Sequence, residues 1–507
     1  MKKSITRRDF LKLAGAFPLS LAVPRTFDRF SLQGSPQNVI IVVFDALSAE
    51  NMLTHGYARE TMPNLNRLAE RAVVYYNHYS GGNFTVPGTA SLLTGTLPWA
   101  HRAFNRAGKV EDTFIEKNIF SEFKGYYRLA YTHNEWANTL LHQFKGSLDY
   151  HIPLELYLLN HEKLIPTLFG NDADIATIGW NRAMRSKDNR YAYSLFLSRL
   201  YEKYDLKKDE QLSELRKVYP WGIPNNGFFH FLLEQAIDSI GPLLAKTQEP
   251  FLGYFHFFPP HDPYNTHKDF ARFFKNDGYS PVVKPLNPFS DGRDNSYLAN
   301  MRNDYDEFIL YADREFARFY QYLESSGLLE NTWLVLTADH GELFERGIIG
   351  HITPVLYRPL IHIPLVIFEP GRKMRTDVYS RTSAIDLLPT LLQVTGQQPS
   401  GWTEGYCLEP FASKRQPNDR SIYSMEAARN GKWDPLKTVT VALIKDIYKL
   451  IYYSGYEELA GDERIELYDL EGDPEELEDL SATKKGTASE LLNEVKAKLE
   501  EVNKPYE

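Results

Sequence analysis

Along the chain, unbroken apolar runs alternate with stretches in which apolar positions recur every three to four residues. Asn38-Val-Ile-Ile-Val-Val-Phe44 is continuous, β-branched and closed by Asp45, which is the pattern of a strand buried on both faces. Trp333-Leu-Val-Leu-Thr337 repeats it and runs straight into Ala338-Asp339-His340-Gly341; Ile363-Pro-Leu-Val-Ile-Phe368 gives a third. Between them, Thr61-Met-Pro-Asn-Leu-Asn-Arg-Leu predicts a helix with Thr61 at its N-cap and Pro63 in the first turn, and a long helix is predicted over 300–327, ending at Gly327. Alternating strands and helices predict an α/β layered domain around a central, mainly parallel sheet. Ligands of such sheets collect at the carboxyl ends of the strands, where Asp45 and Asp339 fall.

The pattern changes twice. Residues 140–245 are rich in Tyr, Leu, Lys and Asn with a helical period, and read as an insertion in a catalytic domain of residues 36–400. From 401 to 507, short strand-like runs such as Ile447–Tyr453 precede an amphipathic helix with Leu491, Leu492, Val495, Leu499 and Val502 on one face. This predicts a smaller C-terminal α+β subdomain. At the start, Arg7-Arg8-Asp-Phe-Leu-Lys12 precedes an apolar run from Leu13 to Val23 and the small residues Ser20 and Ala22. Residues 1–24 therefore read as a twin-arginine signal, and the run is shorter than the ~20 residues a membrane-spanning helix needs. The chain is expected to leave the cell interior through the twin-arginine machinery, for the periplasm or beyond, with no transmembrane segment.

Composition narrows the chemistry. Lys and Arg number 57 against 66 Asp and Glu, a net charge of −9; without residues 1–24, five of them basic and one acidic, it becomes −13. That balance carries no footprint for nucleic acid or anionic lipid. The single cysteine, Cys407, excludes an intramolecular disulfide, a Cys-based zinc site and an iron–sulfur cluster. A metal would have to be held by carboxylate and imidazole.

Four segments could carry a reaction: Asp45 at the end of the first strand; Thr85 in Asn83-Phe-Thr-Val-Pro-Gly-Thr-Ala-Ser-Leu-Leu-Thr-Gly95, where a Pro-Gly turn is expected to precede a helix; His261 in Phe257-Phe-Pro-Pro-His-Asp-Pro-Tyr264; and Asp339, His340 and His351 around Asp-His-Gly-Glu and Gly350-His351. Two carboxylates and an imidazole at strand ends suit a divalent cation. A hydroxyl at a helix N-terminus suits a nucleophile, because the helix amides favour the anion it attacks. Two further histidines can hold an anionic ester and donate a proton to the leaving group. Each also has a structural reading: Asp45 and Thr85 as caps, Asp-His-Gly as turn chemistry, His261 and His351 as loop anchors. His362, inside an apolar run, reads as structural.

Taken together and in order, these segments resemble the sulfatase family of the alkaline phosphatase superfamily. Val-Val-Phe-Asp-Ala-Leu (42–47) is similar to the first metal-ligand motif, Met-Pro-Asn-Leu-Asn-Arg-Leu (62–68) to the helix after it, and residues 85–95 to the C/S-x-P-S-R-x-x-L-L-T-G nucleophile signature. Pro-His-Asp-Pro-Tyr (260–264), Thr-Ala-Asp-His-Gly-Glu (337–342) with Gly-His (350–351) and Leu-Tyr (356–357), Ile385–Thr390 and Leu467–Glu476 resemble later segments. The resemblance implies an alkaline-phosphatase-like sandwich and an exported, metal-dependent hydrolase of phosphate or sulfate esters. Its substrate would be a small molecule or a glycan- or lipid-linked ester. Asp45, Thr85, Asp339 and His340 would hold one divalent ion, Mn²⁺ or Zn²⁺ in preference to Ca²⁺; Thr85 would form a covalent ester; His261 and His351 would bind substrate and move protons. Two departures separate the chain from formylglycine sulfatases. Thr85 cannot become that aldehyde and Thr89 replaces the signature Arg, while the paired Asp-Asp is Asp45-Ala46 and His340 stands where Asn is common. The same set resembles the superfamily's phosphodiesterases and phosphoethanolamine transferases, so transfer to an alcohol is a second expectation. A secreted glycan-binding member without catalysis is a third.

Overall fold

The computed structural model describes residues 36–159, 212–227, 229–398, 400–413 and 420–507. The expected signal, residues 1–24, lies outside them, as do residues 160–211 of the expected insertion at 140–245; of its described residues Leu233–Leu244 are helical, whereas Tyr150–His151 form a strand of the main sheet. Among the described residues no helix is long and apolar enough to cross a membrane.

Eight strands form the main sheet: β1 (Asn38–Phe44), β2 (Val73–Tyr79), β3 (Tyr127–Thr132), β4 (Tyr150–His151), β5 (Phe251–Phe257), β6 (Thr332–Ala338), β9 (Leu365–Phe368) and β10 (Thr376–Ser383). A hairpin, β7 (Leu343–Glu345) and β8 (Ile348–Gly350), follows β6. The sheet order is β10-β2-β9-β6-β1-β5-β3-β4, and only β9 runs against the rest. β1, β5 and β6 are buried at every position, as unbroken apolar runs require when helices cover both faces. The third expected strand begins at Leu365 rather than Ile363, because Pro364 has no N–H to give a ladder.

Seven helices matter here: α1 (Pro63–Leu68), α2 (Thr85–Thr94), α3 (Glu135–Gln143), α4 (Leu233–Leu244), α5 (Asn295–Ser325), α6 (Leu387–Val394) and α7 (Lys485–Asn503). The first expected helix is present, but Met62 holds its N-cap position and the Thr61 hydroxyl donates instead to the Asn51 carbonyl. α5 starts five residues earlier than the apolar period suggested, where the Asp294 carboxylate accepts from Tyr297 N–H at 2.8 Å, and the chain turns at left-handed Gly327. A second, antiparallel sheet of β11 (Ile422–Glu426), β12 (Val439–Lys445), β13 (Tyr448–Ser454) and β14 (Glu463–Asp469) forms the smaller C-terminal part. α7 packs on it through Ala488, Leu491, Val495 and Leu499.

Register sets the site. Phe44 of β1 pairs with Phe257 of β5 and Ala338 of β6, and Thr132 of β3 pairs with His256 of β5. Asp45, His256, Asp339 and the residues after β3 therefore reach the same edge from four adjacent parallel strands.

Candidate active site

Thr85 is the first residue of α2, and the expected Pro-Gly turn is instead that helix's first turn. Pro87 fits there because an N–H at that position has no partner inside the helix. Gly88 is required by a close approach: a Cβ would stand 2.2 Å from the Asp339 carbonyl oxygen. α2 is thereby pressed against the end of β6, and the Thr85 Oγ comes within 3.4 Å of His340 Nε2.

Asp45, Asp339 and His340 converge with no exposed side-chain surface. His340 Nε2 is 3.3 Å from Asp45 Oδ1 and 3.6 Å from Asp339 Oδ2, while its Nδ1 is 2.8 Å from the Gly341 carbonyl. With Nδ1 on that carbonyl, Nε2 is the ring nitrogen that faces the carboxylates; burial disfavours the imidazolium, but the Asp339 and Asp45 charges outweigh it and push the imidazole above its ordinary range. Asp339 Oδ1 accepts from the His340 and Ala46 amides at 3.0 and 3.3 Å, and Oδ2 from the Thr89 hydroxyl at 3.4 Å. Burial, then the nearby Asp45 charge, pushes the Asp339 carboxyl above its ordinary range. Burial works the same way on Asp45, but the His261 charge, with the His256 and His340 imidazoles beside it, outweighs it and holds that carboxyl well below the usual range.

Two neighbours were not anticipated. Asn134 caps α3, its Oδ1 accepting from Trp136 and Ala137 N–H at 2.7 and 3.1 Å. Its amide NH₂ is thus turned inward and donates to Asp45 Oδ2 at 2.6 Å and Thr85 Oγ at 3.2 Å. His256 lies in β5 beside both carboxylates. Its signal was a lone imidazole in an otherwise apolar strand, at the last position but one.

Above this floor, His261, His340 and His351 rings stand 4.4 to 6.4 Å apart between centroids. His261 Nδ1 is 2.7 Å from the Asp262 carbonyl and 3.1 Å from its carboxylate; His351 Nδ1 is 3.1 and 3.2 Å from the two Glu342 oxygens. Burial disfavours the His261 imidazolium, yet the Asp45 charge and the hydrogen bond to Asp262 push it up to about 10. A cleft of ≈ 270 Å³ lined by Asn134, Trp136, Phe258, His261, Asp262 and His351 opens over the histidines. All six residues singled out from the sequence thus meet at one site. His362 does not join them in these contacts: it engages Glu50 and, at 2.8 Å, the Tyr76 carbonyl.

The donor set fits a divalent cation on its own geometry. Asp45 Oδ1 and His256 Nε2 are buried without a hydrogen-bond partner, and ligand atoms of Asp45, His256 and Asp339 all lie within 4.8 Å of one another. Orphaned polar atoms converging in a dry site are what an ion would satisfy.

A mixed sheet carrying carboxylates and histidines at its strand ends, with a second antiparallel sheet behind, defines the alkaline-phosphatase-like class of ester hydrolases. The chain belongs to the sulfatase family within it: the Sulfatase family profile matches residues 37–397, and that of the N-sulphoglucosamine sulphohydrolase C-terminal region matches residues 353–505. It is 22% identical to a choline-sulfatase of Rhizobium meliloti (strain 1021), over 89% of this chain and 84% of that protein. It is 21% identical to the multifunctional alkaline phosphatase superfamily protein PehA of Trinickia caryophylli, over 88% and 91%. The phosphonate monoester hydrolase of Agrobacterium radiobacter superposes with a TM-score of 0.65 at 18% identity, covering 91% of this chain and 96% of that one.

Proposed function

We propose that this hydrolase cleaves phosphate or phosphonate esters, diesters foremost, through a covalent ester on Thr85, and that sulfate esters are its weaker substrates. The observation that carries the reading is the placement of Thr85: an unmodified hydroxyl at the first position of α2, 3.4 Å from His340 and tied through Asn134 to Asp45. A threonine has no route to formylglycine, so sulfur-specific chemistry of that kind is unavailable to it. Similarity to a choline-sulfatase and to a phosphonate monoester hydrolase keeps both ester classes in play.

Asp45, Asp339 and His340 would hold a divalent ion beside Thr85, and when bound it would supply Lewis-acid stabilisation of the charge on the transferred group. The chain's own residues do the rest. Thr85, having lost its proton to water, attacks phosphorus as the bond to the leaving alcohol breaks. The Thr85 and Val86 amides of the first turn of α2, where Pro87 has no N–H and Gly88 bonds Phe84, would serve the equatorial oxygens. His261 and His351, each with Nδ1 turned to a carboxylate or carbonyl, present Nε2 to the ester, and one gives its proton to the departing alkoxide. Water then attacks the threonyl ester, its proton returns to that imidazole, and the Oγ–phosphorus bond breaks. Transfer to an alcohol instead of water follows the same steps. Residues 1–24 would direct export by the twin-arginine route.

Thr85→Ala should lower kcat/KM on an aryl phosphodiester by on the order of 10³–10⁶-fold with metal content unchanged. A metal-loaded T85A enzyme of full activity removes the nucleophile, and wild-type turnover of an aryl sulfate far above that of the diester reverses the choice of phosphorus.

A further inference from the structure

His256 has an environment that a structural histidine does not need and that the carboxylates around it do not complete. It sits in β5 between Phe255 and Phe257, paired with Val43 on one side and Thr132 on the other, and no part of it is exposed. A purely structural position there would favour an apolar side chain, as at its neighbours. Its Nδ1 faces the Tyr254 hydroxyl at 3.5 Å, and its Nε2 makes no hydrogen bond. That Nε2 is 3.5 Å from Asp45 Oδ2 and 3.6 Å from Asp339 Oδ2, nearly equidistant. An imidazolium paired with a carboxylate closes to about 2.7–2.9 Å on one oxygen. Separations near 3.5 Å are instead those between two atoms sharing a common ion: with bonds of ~2.1 Å, the edge of a tetrahedron is about 3.4 Å.

The position also answers a vacancy in the ligand set. Where calcium sulfatases carry a second aspartate after the first, this chain has Ala46, whose amide bonds Asp339 Oδ1 at 3.3 Å and whose side chain offers no donor. The signature arginine is Thr89, which reaches Asp339 Oδ2 at 3.4 Å. His256 enters from the neighbouring strand, level with Val43, and brings a nitrogen donor to the same two carboxylates.

We infer that His256 is a protein ligand of the metal, converting an oxygen-rich family site into a cage of two carboxylates and two imidazoles that takes a borderline transition ion such as Zn²⁺, Mn²⁺ or Co²⁺ and discriminates against Ca²⁺. Nitrogen donors are what separate these ions: calcium takes oxygen almost exclusively, whereas imidazole suits first-row transition metals. This inference rests on the metal-dependent reading of the site, but it is tested by metal binding and does not need turnover.

The full-length protein is stripped with a chelator and titrated with Zn²⁺, Co²⁺ and Ca²⁺, and the number of imidazoles on Zn²⁺ is counted by X-ray absorption. Expected are one ion per chain, two imidazoles, and Zn²⁺ affinity at least ~100-fold above Ca²⁺. His256→Gln should reduce the count to one imidazole and weaken Zn²⁺ by on the order of 10–100-fold or more, with the Co²⁺ visible spectrum altered. His256→Asp, which restores a carboxylate, should narrow or reverse the preference over Ca²⁺. One imidazole in the wild-type protein, or a Zn²⁺ affinity and Co²⁺ spectrum unmoved by H256Q, overturns the inference. Should H256Q fail to fold, the wild-type count alone decides. A wild-type protein with two imidazoles and no esterase activity upholds the ligand and removes the proposed function.

Discussion

Asp45, His256, Asp339 and His340 stand at the ends of three adjacent parallel strands with no exposed surface, whereas His261 and Asp262 ride on the segment after β5 and His351 on the segment after the β7–β8 hairpin, where the Asp262 side chain is 59% exposed. The floor of the site is positioned by backbone register: a one-residue slip of any of the three strands would turn all its closely packed side chains to the opposite helical layer. The rim is positioned by side chains, each imidazole aimed by a carboxylate or carbonyl on its Nδ1. Floor and rim should therefore fail differently. Loss of a floor group should remove metal, stability and activity together; loss of a rim group should remove activity alone.

The largest effect expected is at the floor. Asp339→Asn keeps the shape and the bonds from Ala46 and His340 N–H to Oδ1 but removes one anionic ligand. Bound metal should be lost and kcat/KM should fall by on the order of 10³-fold or more, with thermal unfolding of the variant no longer responding to added ion. A D339N protein that still binds one equivalent tightly would dissolve the distinction between floor and rim. At the rim, His351→Ala should cost about 10²–10⁴-fold in kcat at unchanged metal content. Glu342→Gln, which leaves the ring but replaces the carboxylate behind it, should cost about 10–100-fold, in kcat rather than KM. Metal analysis beside steady-state kinetics checks both; loss of metal from H351A would place that histidine on the floor.

The same division explains what could be read along the chain. β1 and β6 were legible because unbroken apolar runs ending in Asp have few other uses, and Thr85, His261 and His351 because they fall in spaced motifs. The direction of β9 was not legible: an apolar run has the same pattern in either sense, and only pairing with β6 and β2 fixes it. The start of α5 was missed because its first turn is held by the Asp294 cap, not by apolar period. Asn134 was hidden because its visible task, capping α3, is an ordinary one, and its second task exists only once β3 lies two strands from β1. His256 was hidden by its neighbours, since strand-type patterning treats a polar residue in an apolar run as noise. Gly88 could be read as a turn glycine until α2 was seen against the Asp339 carbonyl.

The smallest effect expected concerns the rim's own stability. A second cavity of ≈ 630 Å³ adjoins the cleft along Asp262, His351 and Ile352, and Asp304 of α5 faces into it with Trp221, Tyr264 and Met301. The floor carboxylates have amide, hydroxyl or imidazole neighbours; Asp304 has no hydrogen bond or ion pair among the described residues, and burial alone pushes its carboxyl up to about 6 from 3.8. A raised folded-state value means that the native protein holds this proton more tightly than the unfolded chain, so stability falls as pH rises from about 4 to about 6 and the full penalty is present at neutral pH. Because Asp304 is partly solvated, the penalty is about 1–2 kcal/mol rather than the full ~3 kcal/mol equivalent of the shift. Asp304→Asn should therefore raise the unfolding midpoint at pH 7 and lose that advantage below about pH 4, whereas a floor substitution such as Asp339→Asn should lower the midpoint at pH 7 in the presence of metal, because it forfeits the stabilisation the bound ion gives. Urea unfolding of the wild-type protein and both variants with metal added, at pH 4, 5, 6 and 7, reads both trends. An Asp304→Asn stability gain that is the same at every pH would mean that packing, not the unpaired charge, sets the cost of that carboxylate.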